Sequence, residues 1–435
     1  LRARADLLSV ASLDLVEARL FPSAMAAREQ ANATFDLLDG VLLESRVPVY
    51  RLTEEFAEHP VWRAGLTTAL QDLLRELELL GDNLRLVRER LETDEKAIEA
   101  QGTLLGEVRG VTRRLEAAGD ALRAGLTPAG KLPTVRWLEA RGKDRNLAVT
   151  SVPLDLAPIL RDDLFKRLET TIVTSATLST AGRFDFLRTR LGLTESEVEP
   201  EVAIFPSPFD YATQAMLAIP TDTPAPNVDP GAHLRAVVMA IASVAEAAGG
   251  GVFALFTSHR DLREAAVALR ERGLDQRYPL MVHGEDGRDA LLRRFKAAGH
   301  AILLGTSSFW EGVDVPGEPL RALVLSKLPF KVPSDPLTAA HCEAIEARGG
   351  DAFREYMIPH AALRLKQGFG RLIRTADDRG IVLLMDSRAA TKEYGRELVD
   401  GLPPARRVVS TWAVVEREIR EFYREDRVGH TRGGE

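Results

Sequence analysis

GVFALFTSHRDLREAAVALRERGLDQRYPLMVHG, residues 251–284, is the stretch that sets the class of fold. It opens on the short apolar run GVFAL and closes on another, YPLMVHG. Between them, residues 260–272 read as a helix. A strand, a helix and a second strand in immediate succession build a parallel sheet, because a crossover helix must return the chain to the same edge. Reading outward, the alternation continues in both directions. QAMLAIP (214–220) and a helix at 231–248 precede it, separated by the Pro- and Asp-rich loop TDTPAPNVDPG (221–231). AILLGTSS, ALVLSKLPF and GIVLLMDS follow, with helices expected at 287–298, 336–348 and 360–373. The class is α/β, with helices on both faces of the sheet.

Farther upstream, LAVTSVPL (147–154) and TTIVTSATL (170–178) are β-branched and nearly continuous in apolar character, which predicts two buried parallel strands. Residues 1 to about 128 read as helix. Leu66, Leu70, Leu73, Leu77, Leu80, Leu84, Val87 and Leu91 fall on one stripe, and Leu104, Val108, Val111, Leu115, Ala118 and Leu122 on a second. Two long helices packed on each other account for both stripes. No repeat of fixed period is present.

The chain has 435 residues, enough for roughly three domains at about 150 residues each. Hydrophobic residues make up 45% and charged residues 28%, so a sizeable core is expected and wholesale disorder is excluded. Neither a secretory leader nor an apolar run near the ~20 residues of a membrane span is visible, and a cytoplasmic location is expected. The single cysteine, Cys342, excludes a disulfide framework or an iron–sulfur cluster built from this chain alone. Net charge is −7, yet nucleic-acid binding follows the local distribution of basic residues and stays open. Of the 57 basic residues only nine are lysine. Base composition of the gene and phosphate chemistry both favour arginine.

Ligands of such sheets gather beyond the carboxyl ends of the strands. Thr174 to Leu178, Thr257 to Arg260 and Gly305 to Gly317 are polar clusters expected there, and together they suggest one shared edge. QGFGRLIRT (367–375) is the strongest signal. On the expected helix, Gln367, Arg371 and Arg374 project from one side, and Gly370 lowers the local bulk. Two guanidiniums on one stripe require an anion or carboxylates opposite, and both readings remain open.

TSATL, FTS, GTSSFWEGVDVPG and QGFGRLIRT occur in that order between Thr174 and Thr375. They resemble motifs III to VI of superfamily-two helicases. FWEGVDVPG, KLPF (327–330) and QGFGRLIR resemble the DinG/XPD branch in particular. The resemblance covers roughly residues 147–400. It implies a RecA-like second motor domain at 206–435, a remnant of the first at 146–205, and, by position only, an all-α arch-like domain at 1–145. It further implies an ATP-driven 5′→3′ DNA helicase acting on single-stranded or forked DNA, with DNA repair as the expected setting and a monomer as the expected state.

Carried over onto this sequence, Arg371 and Arg374 would be arginine fingers, supported by Gln367. Asp314 would approach the ribose or the fingers, and Glu311, Gly312 and Gly370 would lie at the nucleotide. Thr257, Ser258, Thr306 and Ser307 would hold DNA phosphates, and Trp310 would stack on a base or pack within its own loop. Thr174, Ser175 and Thr177 would couple hydrolysis to domain movement. ATP and Mg2+ are the implied cofactors, held mainly by a first motor domain.

GLTPAGKL (125–132) matches the glycine and lysine spacing of a phosphate loop, but Leu132 stands after Lys131 where Ser or Thr would hold magnesium. It also follows an expected helix, not a strand, and is read as a decoy. No DEAH, DExH or DEAD sequence occurs. With Leu1 at its start, the chain is expected to be the carboxy-terminal part of a longer enzyme, inactive alone. The competing expectations are a non-catalytic nucleic-acid-binding or regulatory protein that keeps a helicase second domain, and a scaffold that assembles through its leucine stripe.

Overall fold

The structure is a computed structural model, and it describes residues 9–92, 102–127, 133–142, 145–179, 182–194, 200–306, 309 and 319–432. Two compact units are formed, Leu1–Asp155 with Ser334–His341, and Leu156–Pro333 with Cys342–Glu435.

The first unit is mainly helical. Phe21–Ser45, Leu66–Glu92 and Gly102–Leu126 are its long helices. The first leucine stripe is its core: Leu66, Leu70, Leu73, Leu80, Leu84, Val87 and Leu91 are buried, and Leu77 is half-buried. Leu84 and its neighbours pack on Leu104 and Val108 of the facing helix. The stripe is thus consumed inside the unit, which removes the ground for a scaffold that assembles through it.

The second stripe is rotated from its expected course. Val111 and Ala118 are exposed, while Thr112 and Gly119 are buried in their place. Thr112 can be buried because its hydroxyl donates to the Val108 carbonyl at 3.0 Å, so no polar atom is left bare. Exposed ion pairs Arg85–Glu116, Arg123–Glu78 and Arg109–Glu92 cross between the two helices. Water screens such exposed pairs, so they add little to stability.

Residues 1–128 are not all helix, since β1 (Val49–Arg51) interrupts them. It joins β2 (Thr134–Arg141) and β3 (Asn146–Pro153) in an antiparallel sheet ordered β1-β2-β3. LAVTSVPL therefore lies in a hairpin and is only half-buried; it is not a buried parallel strand. The tight return at Gly142, with φ 72°, makes antiparallel pairing with β2 the nearest solution. Arg136 of β2, buried in this unit, donates to the Gly125 carbonyl at 3.2 Å and so caps the last turn of the Gly102–Leu126 helix. Burial pushes its guanidinium down from the ordinary range.

The second unit holds seven parallel strands: β4 (Ala215–Pro220), β5 (Val252–Leu255), β6 (Leu280–Val282), β7 (Ile302–Gly305), β8 (Ala322–Leu325), β9 (Gly380–Leu384) and β10 (Arg406–Ser410). Their order is β10-β4-β9-β8-β5-β7-β6. Every residue of β5, β7, β8 and β9 is buried, because helices cover both faces. Phe253 and Leu255 face the side of the Arg288–Ala298 and Ile358–Phe369 helices; Val252 and Ala254 face the side of Pro230–Ala248, His259–Glu271 and Trp412–Arg432.

Pro230–Ala248 is the one helix, among the described residues, long and apolar enough to cross a membrane. Val237, Ile241, Val244 and Ala248 bury that apolar character in the core on the sheet. The helix stops at Gly249, and Gly250, at φ 92°, lies so close to His300 that a Cβ would stand 2.0 Å from its carbonyl oxygen. The sheet agrees with the expected α/β alternation and adds β10 and the Trp412–Arg432 helix, whose RRVVS and Arg- and Glu-rich sequences hide their apolar positions among charges.

TTIVTSATL is not a strand. Residues 170–175 have no regular structure, and Ile172 is 86% exposed. A β-branched run becomes a buried strand only where a neighbour accepts its backbone hydrogen bonds. This one pairs with no strand of the described sheets.

Candidate functional site

Parallel strands put all their carboxyl ends on one edge, and that edge carries a polar cluster. Thr257 and Ser258 follow β5. Thr257 is exposed; Ser258 caps the His259–Glu271 helix, its Oγ accepting the Asp261 amide at 3.0 Å. Thr306, directly after β7, is buried with its hydroxyl 2.9 Å from His283 Nδ1 and 3.5 Å from His259 Nε2. The two imidazoles lie 5.0 Å apart, and Phe309 closes the floor edge-on against His283. Burial first, then the neighbouring His259 and Arg288, push His283 below the ordinary histidine range.

Beyond β8, Lys327 pairs with Asp261 at 2.7 Å. Beyond β9, Asp386 is fully buried. It accepts from the Leu328 amide at 3.0 Å and from both Nε and Nη2 of Arg388. Burial alone would raise the Asp386 carboxyl, but the Arg388 hydrogen bonds and the Leu328 amide outweigh it and hold it below the ordinary carboxylate range. Sequence reasoning misses His283 and Asp386. The signal that could have found them is their position, one or two residues past a strand end.

QGFGRLIRT lies at the opposite edge. Its loop enters β9 at Gly380, the amino end, and Thr177 lies beside Gln367, so TSATL does not share an edge with Thr257 and Thr306 as expected. The Ile358–Phe369 helix ends before the arginines. Gly370 is its cap, in right-handed helical conformation and with open space beyond its own helix carbonyls. Arg371 and Arg374 consequently do not share a helical stripe with Gln367. Arg371 is 8% exposed, whereas Arg374 is exposed. Past that end the Asp378 carboxylate accepts the amides of Arg374 at 2.7 Å and Thr375 at 2.8 Å, a side-chain turn that holds Arg374 out of helix.

Gln367 is exposed and reaches Thr177, Nε2 to Oγ1 3.5 Å, the outer limit of a hydrogen bond. Ser175 Oγ lies 3.3 Å from the same hydroxyl. Thr174 and Ser175 are exposed. The TSATL and QGFGRLIRT clusters are thus brought together, and the chain after TSATL stays close: Phe186 meets His360 edge-on with ring centroids 5.2 Å apart.

Ser307, Trp310, Glu311, Gly312 and Asp314 lie outside the described residues, as do Lys131 and Leu132 of the phosphate-loop decoy. The start of that decoy, Gly125 and Leu126, is the last turn of a helix, not the end of a strand. Among the described residues no group of three His, Cys, Asp or Glu side chains stands close enough to hold a metal ion.

Residues 241–405 match the helicase C-terminal domain family. The chain is 40% identical over 271 residues to the ATP-dependent DNA helicase YoaA of Escherichia coli, covering 62% of this chain and 41% of that protein. It is 33% identical over 373 residues to the ATP-dependent DNA helicase DinG of Photobacterium profundum, covering 84% of this chain and 53% of that protein. The chain therefore spans about half the length of these curated relatives, or less. A solved XPD helicase structure shares the fold, with a TM-score of 0.51 at 14% identity over 92% of this chain and 67% of that one. The α/β alternation, the order of the four motifs and these similarities converge: residues 241–405 match a helicase C-terminal domain, and the chain is similar to the DinG and YoaA helicases and shares the fold of XPD.

Proposed function

We propose that this chain is the second-motor-domain part of an ATP-dependent 5′→3′ DNA helicase, and that by itself it does not hydrolyse ATP. The observation that carries the reading is the pinned loop after Gly370, which presents the exposed Arg374 beyond Gln367 while Gln367 touches Thr177. A permanently charged, planar guanidinium on a fixed loop suits the oxygens of a triphosphate held by another domain. ATP, when bound, supplies the phosphoanhydride whose cleavage drives movement. The residues here fit the cationic half of such a site only. Arg374 supplies charge from the surface, Arg371 from within the fold, and Gln367, on the helix that leads into their loop, reaches Thr177 of the coupling residues Thr174, Ser175 and Thr177. Magnesium ligands belong to a phosphate-loop domain, which GLTPAGKL does not provide.

On the other edge, Thr257 offers an exposed hydroxyl for a DNA phosphate, a contact that positions a strand without reading sequence. Ser258 and Thr306 already spend their hydroxyls within the fold, so their part would fall to backbone amides. Single-stranded DNA is the substrate this edge suits, with forked DNA and a repair setting as the extension.

The test uses two proteins. The purified 435-residue chain should show no DNA-stimulated ATP hydrolysis. A chimera in which it replaces the matching stretch of E. coli YoaA should hydrolyse ATP, and Arg374→Ala or Arg371→Ala should lower its kcat by about 10³ while nucleotide still binds. Hydrolysis by the chain alone overturns the first statement. Turnover within a few-fold of the parent in both arginine variants overturns the second.

A further inference from the structure

The arginine loop is held from a second direction by a residue outside every motif. Gln214, nine-tenths buried, directly precedes β4, at the same amino edge of the sheet as the loop. Its Nε2 lies 3.1 Å from the Thr375 carbonyl, 2.9 Å from that of Ala376 and 2.9 Å from that of Asp378. One side-chain amide group thus serves three carbonyls of a single turn, while the Asp378 carboxylate serves two amides on the other side of it. The loop turns its carbonyls inward to Gln214, whose two N–H donors are shared among the three, and its amides to Asp378.

Gln214 is itself fixed. Its backbone amide donates to the Asp210 carbonyl at 3.0 Å, and Thr213 Oγ1 donates to Asp210 Oδ2 at 2.9 Å. Tyr211 packs on Phe369, the last residue of the helix that leads into the loop, with centroids 5.9 Å apart. Phe209 meets Tyr211 edge-on in turn. The strap SPFDYATQ, residues 207–214, therefore grips both ends of the arginine turn: Tyr211 at its start and Gln214 at its finish.

We propose that Gln214 is a positioning residue for Arg374, fixing the backbone from which that guanidinium projects and making the 207–214 strap the part of the chain whose movement is transmitted to it. This rests on the reading of Arg374 as a catalytic finger. The three carbonyls demand a donor here. An ionised glutamate in place of Gln214 would face three carbonyl oxygens with no proton to give, and a methionine would fill the space without donating.

Hydrogen exchange on the 435-residue chain tests the clamp without any need for turnover. In Gln214→Met and Gln214→Glu, the Arg374 and Thr375 amides should exchange about tenfold faster or more, the effect of losing one to two hydrogen bonds. Peptides from β5 and β9 should keep their parent protection, which shows that the fold survives. Unchanged protection across 371–379 in both variants overturns the clamp.

The YoaA chimera tests the consequence. Gln214→Met should lower kcat by about tenfold with KM for ATP changed less than about threefold, because misplacement affects the transition state more than ground-state binding. Arg374→Ala is run beside it. A loosened loop with parental kcat in Gln214→Met, while Arg374→Ala is inactive, overturns the positioning role and leaves the finger intact. Parental kcat in Arg374→Ala overturns the finger, and the proposal with it.

Discussion

At the residue scale, polar side chains in this protein are placed where the backbone leaves groups to satisfy, and their neighbours then set their chemistry. The buried Asp386 and the half-buried Arg388 form a bidentate pair under the carboxyl edge, and Asp378 and Gln214 divide the amides and carbonyls of one turn between them. His283 shows how such placement becomes a pH response. Its imidazole is pushed below 6.5 by burial and by the adjacent His259 and Arg288, so the unfolded chain binds the proton more readily. Stability then rises with pH: the folded state is at full strength above the ordinary histidine value and loses ground as pH falls through it. Urea denaturation at about pH 7.5 and about pH 5.5 should therefore show the parent losing more stability on acidification than His283→Asn. Equal losses would reject the assignment. Such contacts are hard to read in a sequence, because His283 and Thr306 are far apart along the chain and only the sheet order puts β6 beside β7.

At the scale of elements, local signals are dependable where one helix or strand satisfies itself. The helices at 231–248, 260–272 and 287–298 lie within a residue of their expected bounds, and Ser258 caps one of them. That cap gives Ser258 a job independent of DNA, and the two roles separate by substitution. Ser258→Ala should cost about 1 kcal/mol in stability through loss of the cap. Ser258→Asp keeps an acceptor at the N-terminus, so stability should stay within about 0.5 kcal/mol of the parent. Its negative charge should nevertheless weaken single-stranded DNA binding severalfold in a filter or anisotropy assay. Unaltered affinity in Ser258→Asp would place the DNA path elsewhere. The expected helix at 360–373 is longer than the observed one: periodicity continues through Arg371 and Arg374, while the helix is capped at Gly370 and the Asp378 turn holds Arg374 in the loop beyond it.

At the scale of the whole molecule, each of the two units has its own core, and neither core includes the apolar segments around TSATL. Ile172 and Phe205 are each 86% exposed, and Ile204 is 60% exposed. Exposed apolar residues in strand-like sequence are the mark of a surface that another element covers. In this chain they contribute no packing, so Ile172→Thr and Phe205→Ser should each shift the stability measured in urea by less than about 0.5 kcal/mol. A loss of about 2 kcal/mol or more in either variant, the cost of a true core residue, would contradict their exposure.

The α/β class, the helical first unit and the four ordered clusters are legible in the amino-acid sequence, since periodicity and motif order are properties of neighbouring residues. So is the helix that leads into GLTPAGKL, from the run of Leu104 to Leu122. Three-dimensional packing was needed to establish that TTIVTSATL is not a strand, that LAVTSVPL pairs antiparallel, and that the arginines lie across the sheet from Thr257 and Thr306. Strand formation and edge placement depend on which partner supplies the next hydrogen bonds, and those partners lie far away in sequence. Gln214 is the sharpest instance. Nothing around QAMLAIP marks its first residue, yet parallel packing of β4 beside β9 sets it against three carbonyls of the arginine loop.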